Sequence, residues 1–187
     1  MIKTFIDTAQ TAAVNLKGMI SNHPGFPKEG VVFRDFGPVL ADPQALAFVA
    51  GEFGKKFDMA GVDILAGIES RGFIIATILG ARYDKGMIMI RKPGKLPGST
   101  KKRSYQLEYG HSSLEIQDES ISEGQRVLIC DDLLATGGTA KAAGQLVEDA
   151  GGVVAGFAFV IELAGLGGAA AISGYDYGAL VRYDDNE

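Results

Sequence analysis

Apolar residues along the chain occur in two patterns, helical spacing and short continuous runs. At residues 2–20 apolar side chains recur at roughly helical spacing, which predicts an amphipathic helix at the N-terminus. Asp42 and Pro43 provide an N-cap and a proline at the first helical position, so a second helix is predicted from there to about Lys56. The pattern further predicts helices at 71–82 and 139–150 and strands at 31–34, 64–66, 87–90, 127–130 and 153–161.

The order of these elements predicts the fold class. Buried strands that alternate with helices are typical of an α/β protein with a central, mostly parallel, twisted sheet flanked by helices. Residues 92–104 are polar, basic and rich in Pro and Gly, which predicts a long mobile loop, and short strands are predicted at 105–108 and 113–116 around Gly110. No repeat, low-complexity tract or linker interrupts the pattern, so residues 1–187 are predicted to form one domain with a small N-terminal addition.

Composition and charge exclude several classes of protein. Hydrophobic residues make up 47% of the 187-residue chain and charged residues 22%, as in ordinary globular domains. The formal net charge of -5 argues against a general nucleic-acid partner, although a local loop can still bind a small phosphorylated ligand. Cys130 is the single cysteine, so an internal disulfide is excluded, and the N-terminus has neither a signal-peptide nor a membrane-span pattern. We therefore expect a cytoplasmic protein with no membrane and no nucleic-acid partner.

The segment at 127–140, VLICDDLLATGGTA, carries the clearest chemistry. An apolar strand ends in Asp131 and Asp132 and is followed by a loop of small residues and then by a helix. In open α/β sheets, ligands bind beyond the carboxyl ends of the strands. Loop N–H groups can converge on one anion, threonine hydroxyls add donors, and the helix presents its positive end. These features favour a phosphate-monoester site formed by Ala135, Thr136, Gly137, Gly138 and Thr139.

The same segment permits other interpretations. Because no Gly-Lys-Ser/Thr follows the loop and no GxGxxG is present, it is neither a Walker loop nor a dinucleotide fingerprint. Extended backbone points the side chains of the adjacent Asp131 and Asp132 to opposite faces. Placing both on one metal ion is therefore awkward, whereas accepting hydrogen bonds from a ribose diol is plausible. From the residues alone, a tight strand-to-helix turn with solvated acids is the alternative.

Four segments carry a family resemblance. The 127–140 segment resembles the phosphoribosyl pyrophosphate (PRPP) signature of the type I phosphoribosyltransferases, in which hydrophobic residues and two acids precede A/T-T-G-G-T/S. The adenine-specific branch of that family is similar in three further segments: FPKEGVVFRDFGPVL (26–40), GIESRGF (67–73) and RKPGKLPGSTKKRSYQLEYGHSSLEI (91–116). The four segments occur in the right order and spacing between residues 26 and 140.

Two positions depart from the pattern of that branch. Gly37 stands where the branch often has Ser or Thr, and Ala76 stands where a glycine is frequent. Neither matches a position to which the resemblance gives a catalytic role, so the assignment is unaffected.

The resemblance implies a fold and a reaction. The fold is that of the type I phosphoribosyltransferases, with an N-terminal hood at 1–40 and a mobile catalytic lid at 97–113. The reaction transfers the phosphoribosyl group of PRPP to N9 of adenine and releases AMP and pyrophosphate. Mg²⁺ is expected as the cofactor, carried mainly by the phosphates of PRPP near Asp131 and Asp132, with no firmly assigned protein ligand. A homodimer is also implied.

The resemblance also implies the role of each site residue. It makes Glu108, Arg71 and Tyr109 catalytic, and it suggests a strained peptide within residues 69–71. Ribose would be bound by Asp131 and Asp132, and the 5′-phosphate by Ala135, Thr136, Gly137, Gly138 and Thr139. Pyrophosphate would be bound by Ser70, Arg71, Arg91 and Lys95, and adenine by Val32, Phe33, Arg34 and Leu133.

Each of these roles has an alternative. Arg71 could be an ordinary exposed arginine at the start of a helix, Phe33 a plain core residue and Glu108 a surface carboxylate in a hairpin. We interpret residues 101–103 as a solvated basic segment that at most attracts PRPP by its charge. For the whole chain, the alternatives are specificity for another base and a non-catalytic PRPP-binding regulator.

Overall fold

The computed structural model describes residues 14–107 and 110–184. The chain divides into two compact units, Met1–Glu52 and Phe53–Glu187. The elements are, in chain order, α1 (Leu16–Met19), β1 (Ser21–Pro24), β2 (Val32–Asp35), α2 (Gly37–Leu40), α3 (Pro43–Lys56), β3 (Ile64–Ile68), α4 (Gly72–Tyr83), β4 (Gly86–Ile90), β5 (Thr100–Leu107), β6 (Gly110–Gln117), β7 (Arg126–Leu134), α5 (Gly138–Asp149), β8 (Val153–Leu163), α6 (Gly168–Ala171) and β9 (Tyr177–Tyr183).

The first unit contains a small hairpin. β1 pairs antiparallel with β2, and β1 was not predicted from the sequence. Most of the helix predicted at 2–20 lies outside the described residues, and the described part of it is the short helix α1. The predicted start of α3 is confirmed, because the Asp42 carboxylate accepts hydrogen bonds from the N–H groups of Gln44 (2.7 Å) and Ala45 (3.1 Å).

The second unit is built on a five-stranded parallel sheet in the order β4-β3-β7-β8-β9. This arrangement confirms the predicted α/β class. After β3 the chain moves outward to β4, and it later returns to the other side of β3 as β7. The strand order therefore reverses between β3 and β7, and the carboxyl ends of strands at such a switch point form a natural crevice for a ligand.

The segment after β4 differs from the prediction. The mobile loop expected at 92–104 is shorter, because β5 already begins at Thr100 and pairs along its length with β6. Side chains of β5 alternate as a half-buried strand requires: Arg103 and Tyr105 are partly buried, whereas Lys102 and Ser104 are exposed. The first half of β5 was not predicted because it is a run of lysine and arginine, in which even the inward-facing residue, Arg103, is charged.

The core of the second unit is formed by β7, β8 and the helices that cover them. Val127, Ile129 and Phe157 are fully buried and pack with Leu146 and Val147 of α5. β9 was not predicted, because it lies at the edge of the sheet and shows only weak alternation of apolar residues. In the described segments, no helix combines the length and the apolar composition that crossing a bilayer requires.

Candidate active site

A cleft of about 410 Å³ opens where β3 and β7 end, at the reversal of strand order. β3 supplies the segment that follows its last residue, β7 supplies its carboxyl end, and the β5–β6 hairpin forms another wall. The cleft is lined by Glu69, Ser70, Arg71, Lys92, Tyr105, Ser112, Leu114, Asp131, Asp132, Leu133 and Thr139. The structure thus brings together residues from three of the four segments that carry the family resemblance.

The loop between β7 and α5 encloses a smaller cavity of about 90 Å³, lined in part by Ala135, Thr136, Gly137 and Thr139. Gly137 adopts a left-handed conformation with φ of 80° and forms the N-cap of α5. Among the described residues, no side chain caps this helix, and its first turn carries no acid. The N–H groups of the first turn are therefore available to an anion, and the helix dipole favours negative charge at this end.

The backbone of α6 packs directly against the back of this loop. A Cβ atom added at Gly168 would lie 2.3 Å from the Ala135 carbonyl oxygen, and one added at Gly137 would lie 2.6 Å from the Gly168 carbonyl oxygen. Such distances leave no room for a side chain at either position. Sequence reasoning missed Gly168, for which the signal was the pair of adjacent glycines at 167–168.

Arg71 and Asp132 meet across the cleft. The Arg71 Nε atom lies 2.9 Å from the Asp132 Oδ2 atom, and the Asp132 side chain is 6% exposed against 40% for Arg71. Asp131 accepts a hydrogen bond of 2.9 Å from the N–H of Asp132. Burial raises the pKa of Asp131 well above its ordinary value, and the neighbouring Asp132 carboxylate raises it further. Burial also raises the pKa of Asp132, against the opposing effect of the Arg71 guanidinium.

Burial is the largest cause of the raised pKa values of Asp131 and Asp132. A ligand that donates hydrogen bonds to these carboxylates stabilises their ionised forms. Two adjacent ribose hydroxyls are donors of that kind.

The Glu69 carboxylate binds three basic residues, Arg91, Lys92 and Lys95. Sequence reasoning assigned Glu69 no role. Its carboxylate accepts hydrogen bonds from Lys95 Nζ (2.5 Å), the N–H of Lys92 (2.9 Å) and Arg91 Nε (3.3 Å). Burial alone would raise the pKa of Glu69, but these hydrogen bonds outweigh burial and lower the pKa to about 2. Arg91 also donates to the Lys95 carbonyl oxygen (3.1 Å). Glu69 is therefore ionised at neutral pH and holds Arg91 and Lys95 side by side. Glu69 and Lys92 line the cleft, whereas Arg91 and Lys95, both expected to bind pyrophosphate, are not among its lining residues. The Glu69–Ser70 peptide bond, in the segment where the resemblance suggested an unusual peptide, is cis.

The residues expected to bind a base lie in both units. Val32, Phe33 and Arg34 are on β2 of the first unit, where the Phe33 ring meets Phe26 edge to face at 5.3 Å between ring centroids. Leu133 lies in the second unit and lines the cleft. The expected sandwich of a base between Phe33 and Leu133 stays a prediction.

The expected catalytic residues Glu108 and Tyr109 lie outside the described residues. The two strands that lead to them are described, and they place Tyr105 next to the phosphate loop. The Thr139 hydroxyl donates a hydrogen bond of 3.2 Å to the Tyr105 hydroxyl. The β5–β6 hairpin thus reaches the first turn of α5.

The fold and this cleft define a phosphoribosyltransferase, and the family model for the phosphoribosyl transferase domain matches residues 39–184. An adenine phosphoribosyltransferase of Nitrosopumilus maritimus is 60% identical over 91% of this chain and 100% of its own length. The adenine phosphoribosyltransferase of a Synechococcus strain is 50% identical over 91% of this chain and 99% of its own length. The chain belongs to the adenine phosphoribosyltransferase family.

Solved structures of that family have the same fold. The adenine phosphoribosyltransferase of Thermoanaerobacter pseudethanolicus superimposes with a TM-score of 0.85 at 44% identity, covering 90% of this chain and 98% of the other. The Saccharomyces cerevisiae enzyme, solved in complex with an imino-altritol bisphosphate and adenine, gives a TM-score of 0.84 at 37% identity, with coverages of 88% and 96%.

Proposed function

We propose that the chain transfers the phosphoribosyl group of PRPP to N9 of adenine, giving AMP and pyrophosphate in purine salvage. The observation that carries this proposal is the arrangement at the end of β7. A small cavity lies at the start of α5, where no side chain caps the helix, and two carboxylates line the cleft beside it. Arg71 and Lys92 also line the cleft, and Glu69 of the same lining binds Arg91 and Lys95. These three features match the 5′-phosphate, the ribose and the pyrophosphate of PRPP in their order along that molecule.

The 5′-phosphate is bound by the loop of residues 135–139. Backbone N–H groups of Ala135, Thr136, Gly137, Gly138 and Thr139 and the positive end of α5 supply donors without a side-chain cation, as in other backbone anion sites. The ribose hydroxyls donate to Asp131 and Asp132. Donation to these carboxylates offsets the burial that raises their pKa values.

Pyrophosphate is bound by Ser70, Arg71, Arg91 and Lys95. As the C1–O bond breaks, its electron pair leaves with pyrophosphate, and the cations stabilise the charge that gathers there. Because Glu69 already fixes Arg91 and Lys95, little reorganisation is needed as this charge develops. Arg71, which lines the cleft beside Asp132, contributes its positive charge to the binding of pyrophosphate.

Adenine is bound by Val32, Phe33, Arg34 and Leu133, with the rings of Phe33 and adenine stacked and backbone groups reading the purine edge. N9 of adenine forms the new bond to C1. The adenine ring loses a proton as this bond forms, and Glu108 accepts that proton. Tyr109 is proposed as a further catalytic residue, and water must be excluded from the site because it would otherwise hydrolyse PRPP. Phe33 and Leu133 belong to separate compact units, so this part of the proposal rests on the family resemblance.

Mg²⁺ is proposed as the cofactor that enters with PRPP. It would be held mainly by the phosphates, as a hard cation that keeps part of its water, with Asp131 and Asp132 as the nearest carboxylates. Among residues 14–107 and 110–184, no group of three or more His, Cys, Asp or Glu side chains is placed to hold a metal ion. Mg²⁺ held there would neutralise part of the negative charge of the departing pyrophosphate.

A cytoplasmic homodimer is the proposed state of the protein. α4 is apolar on several sides, and Ile74 on this helix is 38% exposed. Met89 on β4, the edge strand of the sheet, is 40% exposed. A helix that is apolar beyond the face it packs is typical of a subunit interface.

Parallel activity assays with four bases test the proposed substrate. With PRPP and Mg²⁺, the protein is given adenine, hypoxanthine, xanthine and orotate in parallel, and formation of AMP, IMP, XMP and OMP is followed. We expect AMP formation to exceed the others, because a site that reads the amino group leaves a buried donor or acceptor unpaired with keto purines. Faster formation of IMP than AMP would show that the base is misassigned. PRPP binding with no transfer to any base would identify a regulator instead of an enzyme.

A further inference from the structure

Arg103 ties the β5–β6 hairpin to helix α5. Its Nη1 atom lies 2.6 Å from the Asp149 Oδ2 atom, and its Nε atom donates to the Gln145 Oε1 atom at 3.1 Å. Gln145 and Asp149 are four residues apart and share one face of α5. Asp149 is also the last residue of the helix, where the negative end of the dipole adds to the attraction of a cation. This arrangement differs from the solvated basic segment that the sequence predicted.

Strand β5 also contacts α5 at the first turn of that helix. Tyr105, two residues after Arg103 on the same side of β5, receives the hydrogen bond from Thr139 in the phosphate loop. Tyr105, Ser112 and Leu114 of the hairpin line the cleft. The contacts of Arg103 therefore lie outside the cleft, at the far end of the helix whose first turn lies at the phosphate cavity.

We propose that Arg103 is a positioning residue, which holds the hairpin on α5 so that the hairpin wall of the cleft is in place before PRPP arrives. Because the Arg103 side chain is 36% exposed and Asp149 46%, this is a surface pair of moderate strength. Its loss leaves the fold intact and lowers the fraction of molecules whose hairpin is docked. The apparent affinity for a ligand that needs the docked form falls in proportion to that fraction.

Two matched variants test the proposal. Arg103→Ala removes the pair, and Lys102→Ala removes the same charge from the exposed face of the same strand. We expect Arg103→Ala to raise KM for PRPP by at most about threefold to fivefold, the factor by which loss of a surface pair changes the docking equilibrium, with kcat nearly unchanged. Lys102→Ala should leave both constants unchanged. If both variants raise KM alike, the segment acts by general attraction of PRPP, and the positioning role is wrong.

The expected change in KM rests on the proposed function, so a second measurement tests the docking of the hairpin without any substrate. Hydrogen exchange of the β5 amides should be about threefold to fivefold faster in Arg103→Ala than in the wild type or in Lys102→Ala. Unchanged exchange would overturn the docking itself. Faster exchange in a protein that makes no AMP would refute the proposed function and leave the docking standing.

A double variant in which the two charged residues are swapped tests the contribution of the ion pair itself. The double variant Arg103→Asp, Asp149→Arg restores a pair of opposite charges in reversed orientation. We expect its β5 exchange rates and its KM for PRPP to lie closer to the wild type than those of either single variant. A double variant as impaired as the sum of the single variants would contradict the role of the Arg103–Asp149 pair.

Discussion

Gly168→Ala is expected to lower kcat/KM for PRPP by about 100-fold, although residue 168 touches no proposed ligand. The new Cβ atom would lie 2.3 Å from the carbonyl oxygen of Ala135 and 2.8 Å from Cγ of Leu134. Real contacts of this kind are never so short, so the backbone of Ala135 must shift. Ala135 is part of the loop that encloses the phosphate cavity. Displacing a binding group by about 1 Å costs on the order of 100-fold in rate.

Gly174→Ala is the matched control, because a Cβ atom there meets nothing within 4 Å. Both variants are compared with the wild type in kcat/KM, in affinity for AMP and in melting temperature. We expect Gly168→Ala to lose AMP affinity beyond any loss explained by its melting temperature, and Gly174→Ala to retain it. Wild-type AMP affinity in a folded Gly168→Ala protein would mean that the loop does not bind the phosphate.

Glu108→Ala is expected to lower kcat by a factor of about 100 to 10,000 while affinity for PRPP changes little. That range is typical of losing a group that transfers a proton in the transition state. The proposed role of Glu108 concerns the adenine ring alone, so binding of PRPP in the absence of adenine should be preserved. Steady-state kinetics and a direct PRPP titration of the same preparation separate the two quantities.

Glu119→Ala is the control for this variant, because Glu119 is an exposed carboxylate in the turn after β6. It removes the same charge from the same part of the chain and should leave kcat unchanged. Turnover of Glu108→Ala equal to that of Glu119→Ala would remove Glu108 from the mechanism. A large loss of PRPP affinity in Glu108→Ala would instead assign the residue to binding.

Local patterns in the sequence predicted much of the fold. The strands around Ile64, Ile88 and Ile129 are continuous apolar runs, and each lies in the parallel sheet. The strands around Ile64 and Ile129 are buried as expected, whereas the strand around Ile88 is the edge strand β4, on which Ile90 alone is buried. The phosphate loop was predictable for the same reason. Its glycines, threonines and following helix are adjacent in sequence, so their combined chemistry is visible without the fold.

Features that depend on pairing between distant segments were not predictable. Arg103 appeared solvated because Gln145 and Asp149, its partners, lie 42 and 46 residues away. Glu69 had no visible role until the fold placed Lys92 and Lys95 beside it. The requirement for glycine at residue 168 arises only because α6 returns to the back of the phosphate loop. In each case the physical reason is a tertiary contact that propensity and spacing do not encode.

A structure of the protein in complex with AMP tests the central claim most directly. The account predicts the 5′-phosphate about 3 Å from backbone nitrogens of residues 135–139 at the first turn of α5, with the ribose hydroxyls donating to Asp131 and Asp132. AMP bound with its phosphate at any other place, or no binding of AMP at saturating concentration, would contradict it.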